Sequence, residues 1–356
     1  MTLEFAIGRH RIGLDHPTYF IADIAANHDG DLDRAKDLIW LVAENGGQAV
    51  KFQNFDARTI VSDFGFRSLG GQRSHQAAWS KSVFKVYEDA SLPLAWTAEL
   101  KATADAAGVD YFTAPYDLSL IGELDPYVCA WKLGSGDITW HEEIEVLARG
   151  GKPLLIATGA ADMDEVRAAM AVAMQHSDRL VLMQCNTNYT ASNENFRHVA
   201  LNVLQTYAGE FPNAVLGLSD HTPGHATTLG AIALGARAIE KHFTDDVQRE
   251  GPDHNFSMDP RSWRDMVDRS RELEAALGTG EKRIMDNERE TVVLQRRALR
   301  TTRAIREGEM FREGDLIPLR PCPTDAFPPY RAGEIVGRRS ARAIPEGDYV
   351  RPSDLA

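Results

Sequence analysis

Two histidines carry the strongest chemical signal in this sequence. His221 ends the run Leu218-Ser-Asp-His221-Thr-Pro-Gly224-His225, and His242 ends Ala238-Ile-Glu240-Lys-His242-Phe243. Each run starts apolar and finishes on polar groups, and about one strand–helix–strand repeat separates them. Two imidazoles at neighbouring strand ends can share a divalent metal. An isolated histidine is more often an ordinary buried or surface residue. Here Ser219, Asp220, Glu240 and Lys241 crowd the pair with further polar groups, the pattern of a site rather than of a core.

Two lysines are the next anomaly. Lys51 interrupts Ala-Val-Lys-Phe-Gln, and Lys132 interrupts Ala-Trp-Lys-Leu-Gly-Ser. A buried ammonium is costly unless it is paired. Each lysine therefore needs an anion. That anion is either a structural carboxylate, such as Asp23 or Glu240, or a phosphate or carboxylate ligand held by Lys51, Lys132, Ser135 and Ser219. Gly134 and Gly136 flank Ser135 and let backbone N–H groups approach such a ligand. Polar residues also end or follow other apolar runs: Asp23, Asn27 and His28, then Gln53, Asp137, and the stretch Asn186, Thr187, Asn188 and Tyr189.

These residues must be positioned by the runs that carry them. Eight runs read as buried strands: 19–26, 49–55, 111–116, 130–135, 154–159, 180–186, 215–220 and 238–243. They are short, apolar and rich in β-branched or aromatic residues. Helical patterns fill the gaps at 32–45, 95–107, 142–148, 163–174, 195–207 and 225–235. Residues 56–93 are polar and aromatic and read as an excursion. Alternation of this kind predicts a (β/α)8 TIM barrel, with chemistry where strands end. An open doubly wound sheet is the alternative. It is disfavoured because Asn27-His-Asp-Gly30, not a glycine-rich dinucleotide turn, follows the first strand.

The division expected is a barrel domain at 1–278, a linker at 279–295 and a small β-rich domain at 296–356. The last unit contains an internal echo. Arg303-Ala-Ile-Arg-Glu-Gly308 and the residues to Leu316 match Arg342-Ala-Ile-Pro-Glu-Gly347 and the residues to Leu355. Each copy reads as strand, glycine turn, strand and short helical turn. The unit holds 12 arginines against 9 acids, so it is weakly basic beside an acidic barrel, which favours docking between them.

The totals narrow the class further. Net charge is -13 and no basic block offsets it, so a nucleic-acid backbone is an unsuitable partner. No run approaches the roughly 18 apolar residues of a membrane span, and the start of the chain lacks a signal-peptide core. Three scattered cysteines without a CxxC fit a reducing, cytoplasmic setting.

The motifs together resemble those of the sialic acid (N-acetylneuraminate, or nonulosonic acid) synthase family. They are Ile21-Ala-Asp-Ile-Ala-Ala-Asn-His28-Asp-Gly30, Lys51-Phe-Gln53, Lys132-Leu-Gly-Ser135-Gly-Asp137, Gly217-Leu-Ser-Asp-His221-Thr, Ile239-Glu-Lys-His242-Phe-Thr244 and Gly251-Pro-Asp-His254. The C-terminal unit resembles that family's antifreeze-like (SAF) domain. The resemblance implies condensation of phosphoenolpyruvate with an N-acylated hexosamine, in a domain-swapped homodimer. It implies a divalent metal on His221 and His242, most often Mn2+, with Mg2+ and Co2+ as alternatives. It places Lys51, Lys132, Ser135 and Ser219 at the phosphoenolpyruvate, with Asn186, Thr187 and Asn188 nearby. Asp23 and Asp137 stand at catalytic positions. Gln53, Tyr189 and Asp253 face the sugar, and Arg320 reaches the partner's barrel over the acyl group.

Three departures from the family pattern bear on the acceptor sugar. Asp23 and Asp137 stand where the family usually has the longer glutamate. Ala157 replaces a serine that usually touches phosphate, with Thr158 as a candidate substitute. Asn186-Thr-Asn-Tyr189 differs from the usual wording. The residues leave open N-acetylmannosamine, a 2,4-diacetamido-hexose or a phosphorylated sugar as acceptor. Competing classes are a metal-dependent barrel hydrolase, a Schiff-base aldolase and a non-catalytic sugar-binding protein. The hydrolase leaves the strand lysines without a role.

Overall fold

The computed structural model describes residues 3–356. The chain divides into two compact units, one ending at Gly278 and one beginning at Thr279. An antiparallel hairpin, β1 (Glu4–Ile7) and β2 (His10–Gly13), opens the first unit. Its Gly8 has φ of +53°, and a Cβ there would stand 2.2 Å from Asp110 Oδ1. Asp110 in turn accepts from His10 Nδ1 at 2.8 Å and from the Tyr19 hydroxyl at 2.9 Å, pinning the hairpin to the barrel. The strand patterns in the sequence do not reveal this hairpin, because two four-residue strands are too short to establish a period.

Eight parallel strands then close into a barrel. They are β3 (Tyr19–Asp23), β4 (Ala49–Gln53), β5 (Asp110–Ala114), β6 (Trp131–Leu133), β7 (Leu154–Ala157), β8 (Leu180–Cys185), β9 (Val215–Asp220) and β10 (Ala238–His242). Strand β10 pairs with β3, so the sheet has no edge. All eight expected runs are strands. Several stop two or three residues early, since Ile24 and Phe55 continue the apolar pattern only as buried loop residues under the barrel mouth. Strands β3, β8, β9 and β10 are buried at every position, as parallel strands covered by helices must be.

The helical layer differs from expectation in two places. The helix expected over 195–207 is broken into a 3-10 segment, Asn193–His198, and a helix, Val203–Glu210. Ala200 between them has φ of +52°, which no continuous helix accepts. A helix not anticipated, Leu118–Leu124, joins β5 to β6 and is capped by the Asp117 side chain accepting from Ser119 N. The excursion over 56–93 folds into short helices at Ala57–Ile60, Asp63–Ser68 and Val83–Ala90, with a 3-10 turn at Ser74–Ala78. Helix Pro260–Leu277 closes the unit, with Asp259 as its cap and Trp263 and Met266 buried. Among the described residues, no helix is long and apolar enough to cross a membrane.

The second unit, from Thr279 to Ala356, has a core of its own. Residues Leu299, Ile305, Phe311, Phe327, Ile335, Ile344 and Val350 form its core. Its one two-stranded sheet pairs β11 (Ala298–Thr301) with β12 (Leu316–Leu319). The two echo segments meet at Ile305 and Ile344, whose backbones exchange hydrogen bonds at 2.8 Å in both directions. Each copy is clamped by its own arginine: Arg303 to Asp315 and Glu309, Arg342 to Asp354 and Asp348. Single bridges replace most of the expected strands. Only the second copy ends in a short helical turn, Pro352–Asp354, because the first runs directly into β12.

Candidate active site

Strand register sets one level of side chains at the C-terminal mouth of the barrel. His242 on β10 is level with Asp23 on β3, and Asp23 is level with Lys51 on β4. On the far side of β10, Glu240 is level with Ser219 of β9. Residues two apart on a strand share a face, so Glu240 joins His242, Ser219 joins His221, and Lys51 joins Gln53. Asp23 Oδ2 accepts from Lys51 Nζ at 2.7 Å and from Gln53 Nε2 at 3.2 Å, and lies 3.4 Å from His242 Nε2. Glu240 Oε1 accepts from Ser219 Oγ at 3.0 Å and lies 3.3 Å from Lys132 Nζ.

Both strand lysines are thus paired with carboxylates. Lys51 and Asp23 are each about 2% exposed. Burial alone would discharge both, but each counters the other. Against that desolvation, the Lys51 ammonium holds the Asp23 carboxyl below its ordinary pKa. Asp23 and Glu240 likewise hold the Lys51 ammonium above its own. An ammonium has three donors, and Asp23 accepts only one from Lys51. The remainder can serve an anion without breaking the pair.

A small cradle lies beside the lysines. Gly159 N donates to Ser135 Oγ at 2.9 Å. A Cβ on Gly159 would stand 1.8 Å from Thr187 Oγ1, 2.8 Å from Ser135 Oγ and 3.1 Å from Cys185 Sγ. Of the three residues after β8, Thr187 is therefore the one whose side chain reaches this cradle. Asn186 uses its carbonyl to accept from His221 Nδ1 at 3.1 Å, and Asn188 Oδ1 accepts from Thr190. Thr158 does not stand in for the serine missing at Ala157. Its hydroxyl donates to Met183 O and accepts from Tyr207, on the helix side of β7.

The two imidazoles stand together, with ring centroids 5.4 Å apart. Tyr189 meets His221 edge-on at 4.4 Å, and Phe256 lies 4.8 Å from His242. Burial drives the His242 pKa down to about 4, although Asp23 opposes it, so the ring is neutral. For His221, burial is outweighed by the Cys185 sulfur and the Asn186 carbonyl, which hold its pKa above the ordinary value. His242 Nδ1 is buried with no hydrogen-bond partner. An orphaned imidazole nitrogen on a ring beside a second imidazole fits a divalent cation. Among the described residues no set of three or more His, Cys, Asp or Glu is arranged to hold a metal. The two histidines alone would supply protein ligands, leaving the other positions to substrate and water.

The remaining expected residues fall in different places. Asp253 Oδ2 accepts from Ala26 N at 3.1 Å, and burial raises its pKa to about 6. Asp137 follows β6 in a 3-10 turn, and burial raises its pKa to about 6 against the pull of Lys132. Arg320 is an exposed residue of the second unit, just beyond β12. Glu240 stands beside Lys132 and Lys51 as the structural carboxylate that the sequence suggests, whereas the sequence assigns no site role to Gly159, Phe256, His75 or Tyr116. Nothing local marks His75, which the excursion brings to 4.9 Å from the Tyr189 ring. Tyr116 has φ of +47°, and a Cβ on Gly134 would stand 2.7 Å from its hydroxyl, which explains the glycine.

An apolar cavity of about 260 Å³ opens elsewhere, among Leu14, Phe211, Leu216 and Leu234. It lies at the end of the barrel where strands begin. Arg237 is its only charged lining residue, so it lacks the chemistry assembled at the mouth.

The sequence and the fold both have known relatives. A model described as the NeuB family matches residues 38–282, and one for the SAF domain matches residues 296–356. The N,N'-diacetyllegionaminic acid synthase of Legionella pneumophila is 35% identical over 335 residues, 92% of each chain. The pseudaminic acid synthase of Campylobacter jejuni is 30% identical over 349 residues, 96% of this chain and 97% of its own. The crystal structure of an N-acetylneuraminic acid (sialic acid) synthetase from Leptospira borgpetersenii, in complex with citrate, superposes with a TM-score of 0.71 at 26% identity. It covers 82% of this chain and 96% of that one.

Proposed function

The chain belongs to the NeuB family, and from that premise we propose that it condenses phosphoenolpyruvate with an open-chain N-acylated hexosamine. The products are a nonulosonic, sialic-acid-like acid and inorganic phosphate. One observation carries the reading: Lys51 and His242 converge on the same oxygen of Asp23. An anion site and an imidazole pair therefore share one wall, as a reaction between an enol phosphate and a carbonyl requires.

In this reading Lys51 and Lys132 neutralise phosphoenolpyruvate, and Ser135, Gly159 N, Thr187 and Ser219 orient it. Placing its C3 against the sugar aldehyde removes roughly 7–11 kcal/mol of barrier in favourable cases. A divalent cation on His221 and His242, Mn2+ first and Mg2+ or Co2+ next, would supply Lewis acidity at the aldehyde oxygen. C3 forms the new carbon–carbon bond, the aldehyde oxygen takes a proton, and C2 becomes cationic. Water adds to C2 and gives its proton to Asp137, with Asp23 stabilising the cation. The adduct then breaks the bond from C2 to the phosphate oxygen, its hydroxyl proton passes to the departing phosphate, and C2 becomes the ketone carbon. Gln53, Tyr189 and Asp253 bind the sugar. The protein acts in the cytoplasm as a homodimer in which Arg320 of each protomer covers the acyl group in its partner's barrel.

The aldolase alternative needs a neutral lysine as nucleophile. Lys51 is held charged by Asp23, and Lys132 lies against Glu240, which disfavours it. We place 2,4-diacetamido-hexoses first among acceptors, because the relatives above bear the names of legionaminic and pseudaminic acid synthases. N-acetylmannosamine and phosphorylated sugars complete the panel. The test is phosphate release with Mn2+ present, which should require both phosphoenolpyruvate and acceptor and stop on chelation. An 18O label in the bridging position should leave with phosphate. Release from phosphoenolpyruvate alone, or label kept in the sugar acid, would overturn the reading.

A further inference from the structure

Behind the imidazoles, the strands that carry them are tied by a buried ion pair. Asp220 immediately precedes His221, and Lys241 immediately precedes His242. The two are register partners on adjacent parallel strands. Side chains alternate across a strand, so this pair faces away from the imidazoles, toward the helical layer.

Lys241 Nζ donates to Asp220 Oδ2 at 2.6 Å and to the Thr222 carbonyl at 2.6 Å. It thereby grips the residues on both sides of His221. Asp220 also accepts from Thr222 N at 3.1 Å, from the Thr222 hydroxyl at 2.9 Å and from the Thr227 hydroxyl at 2.6 Å. The Lys241 and Asp220 side chains are 1% and 2% exposed. Exchange of a buried ion pair for apolar groups is often neutral or stabilising, so stability alone does not account for it. Its geometric effect is specific: it fixes the backbone under one imidazole to the residue beneath the other.

We propose that the Asp220–Lys241 pair is a positioning device that sets the separation and direction of His221 and His242 for a divalent cation. The inference rests on the reading that these two imidazoles hold one. Neither residue touches substrate; both act through the histidines that follow them. Outer partners of metal ligands typically change affinity by about 10- to 100-fold.

The test is a Mn2+ titration of the full-length, chelator-stripped protein, read by the electron paramagnetic resonance of free Mn2+, with no turnover involved. Wild type is compared with His221→Ala, with Asp220→Leu/Lys241→Met, and with Asp220→Asn/Lys241→Gln. The second pair keeps neutral hydrogen-bonding groups in case the apolar one fails to fold. In whichever pair melts within a few degrees of wild type, the Mn2+ dissociation constant should rise about 10- to 100-fold. Affinity within twofold of wild type in a folded pair overturns this inference alone. A wild type that binds no more Mn2+ than His221→Ala overturns the cation reading, and this inference with it.

Discussion

Lys51 and His242 converge on one oxygen, Oδ2 of Asp23, at 2.7 and 3.4 Å. The strands that bear them flank β3, and barrel closure puts all three residues on one level. A carboxylate so shared orients both neighbours. It keeps Lys51 charged and stands against the neutral imidazole. Asp23 is thus the joint between the lysine half of the site and the imidazole half.

Replacing Asp23 by Asn keeps the shape and removes the charge. Among the described residues, Glu240 at 3.9 Å is then the carboxylate left within 4 Å of Lys51. The expected outcome is a fall in kcat of about 100-fold, as for loss of a positioned catalytic carboxylate, with the circular dichroism spectrum unchanged. A kcat within threefold of wild type would remove Asp23 from the chemistry.

Gly159→Ala tests the cradle. The new methyl would overlap Thr187 Oγ1 and press on Ser135 Oγ. Such crowding typically costs about 1–3 kcal/mol. We expect the KM for phosphoenolpyruvate to rise at least tenfold, with the KM for the sugar little changed. Equal increases for both substrates would place the cradle elsewhere.

The pH profile follows from Asp137. Burial raises its pKa from 3.8 to about 6, so a base at this position loses function as pH falls through 6. The acid limb of kcat/KM should lie near pH 6, and Asp137→Asn should lower the plateau and abolish that limb. Persistence of the limb in the variant would assign it to another group, with Asp253 first in line.

Glu143 offers a stability test. Burial, and then the charges of Asp137 and Asp117, raise its pKa from 4.5 to about 8, and its buried Oε2 has no partner. Between those values the unfolded chain gives up the proton first, so the group's contribution to stability falls as pH rises from about 4.5 to 8. Glu143→Gln should melt on the order of 5 °C above wild type at pH 8.5, with the advantage gone by pH 5. A difference that does not depend on pH would show that Glu143 does not titrate in this way.

Much of this was legible in the sequence. Each barrel strand announced itself by an apolar run ending in polar residues. The motifs around Lys51, Lys132, His221 and His242 indicated the family that the match over residues 38–282 establishes. The broken helix at Ala200, the hairpin at Gly8 and the capped helix after Asp117 were not legible. A positive φ is a backbone state that alanine does not advertise, and segments of four to seven residues carry too few positions to show a period. Nor does the sequence show that Thr158, just past the end of β7, turns its hydroxyl to Met183 O and Tyr207.

Strand positions, the residue types at each strand end and the family can all be read along the chain. They depend on local pattern and motif wording, which a single segment carries. Which strand ends share a level comes only with folding, and with it the pairing of Lys51 with Asp23 and the place of Lys132 against Glu240. Folding alone brought Thr187 to Gly159, and turned Asp220 and Lys241 away from the two histidines they precede. Register between strands is fixed only when distant segments hydrogen-bond and the barrel closes, so no stretch of residues read alone contains it.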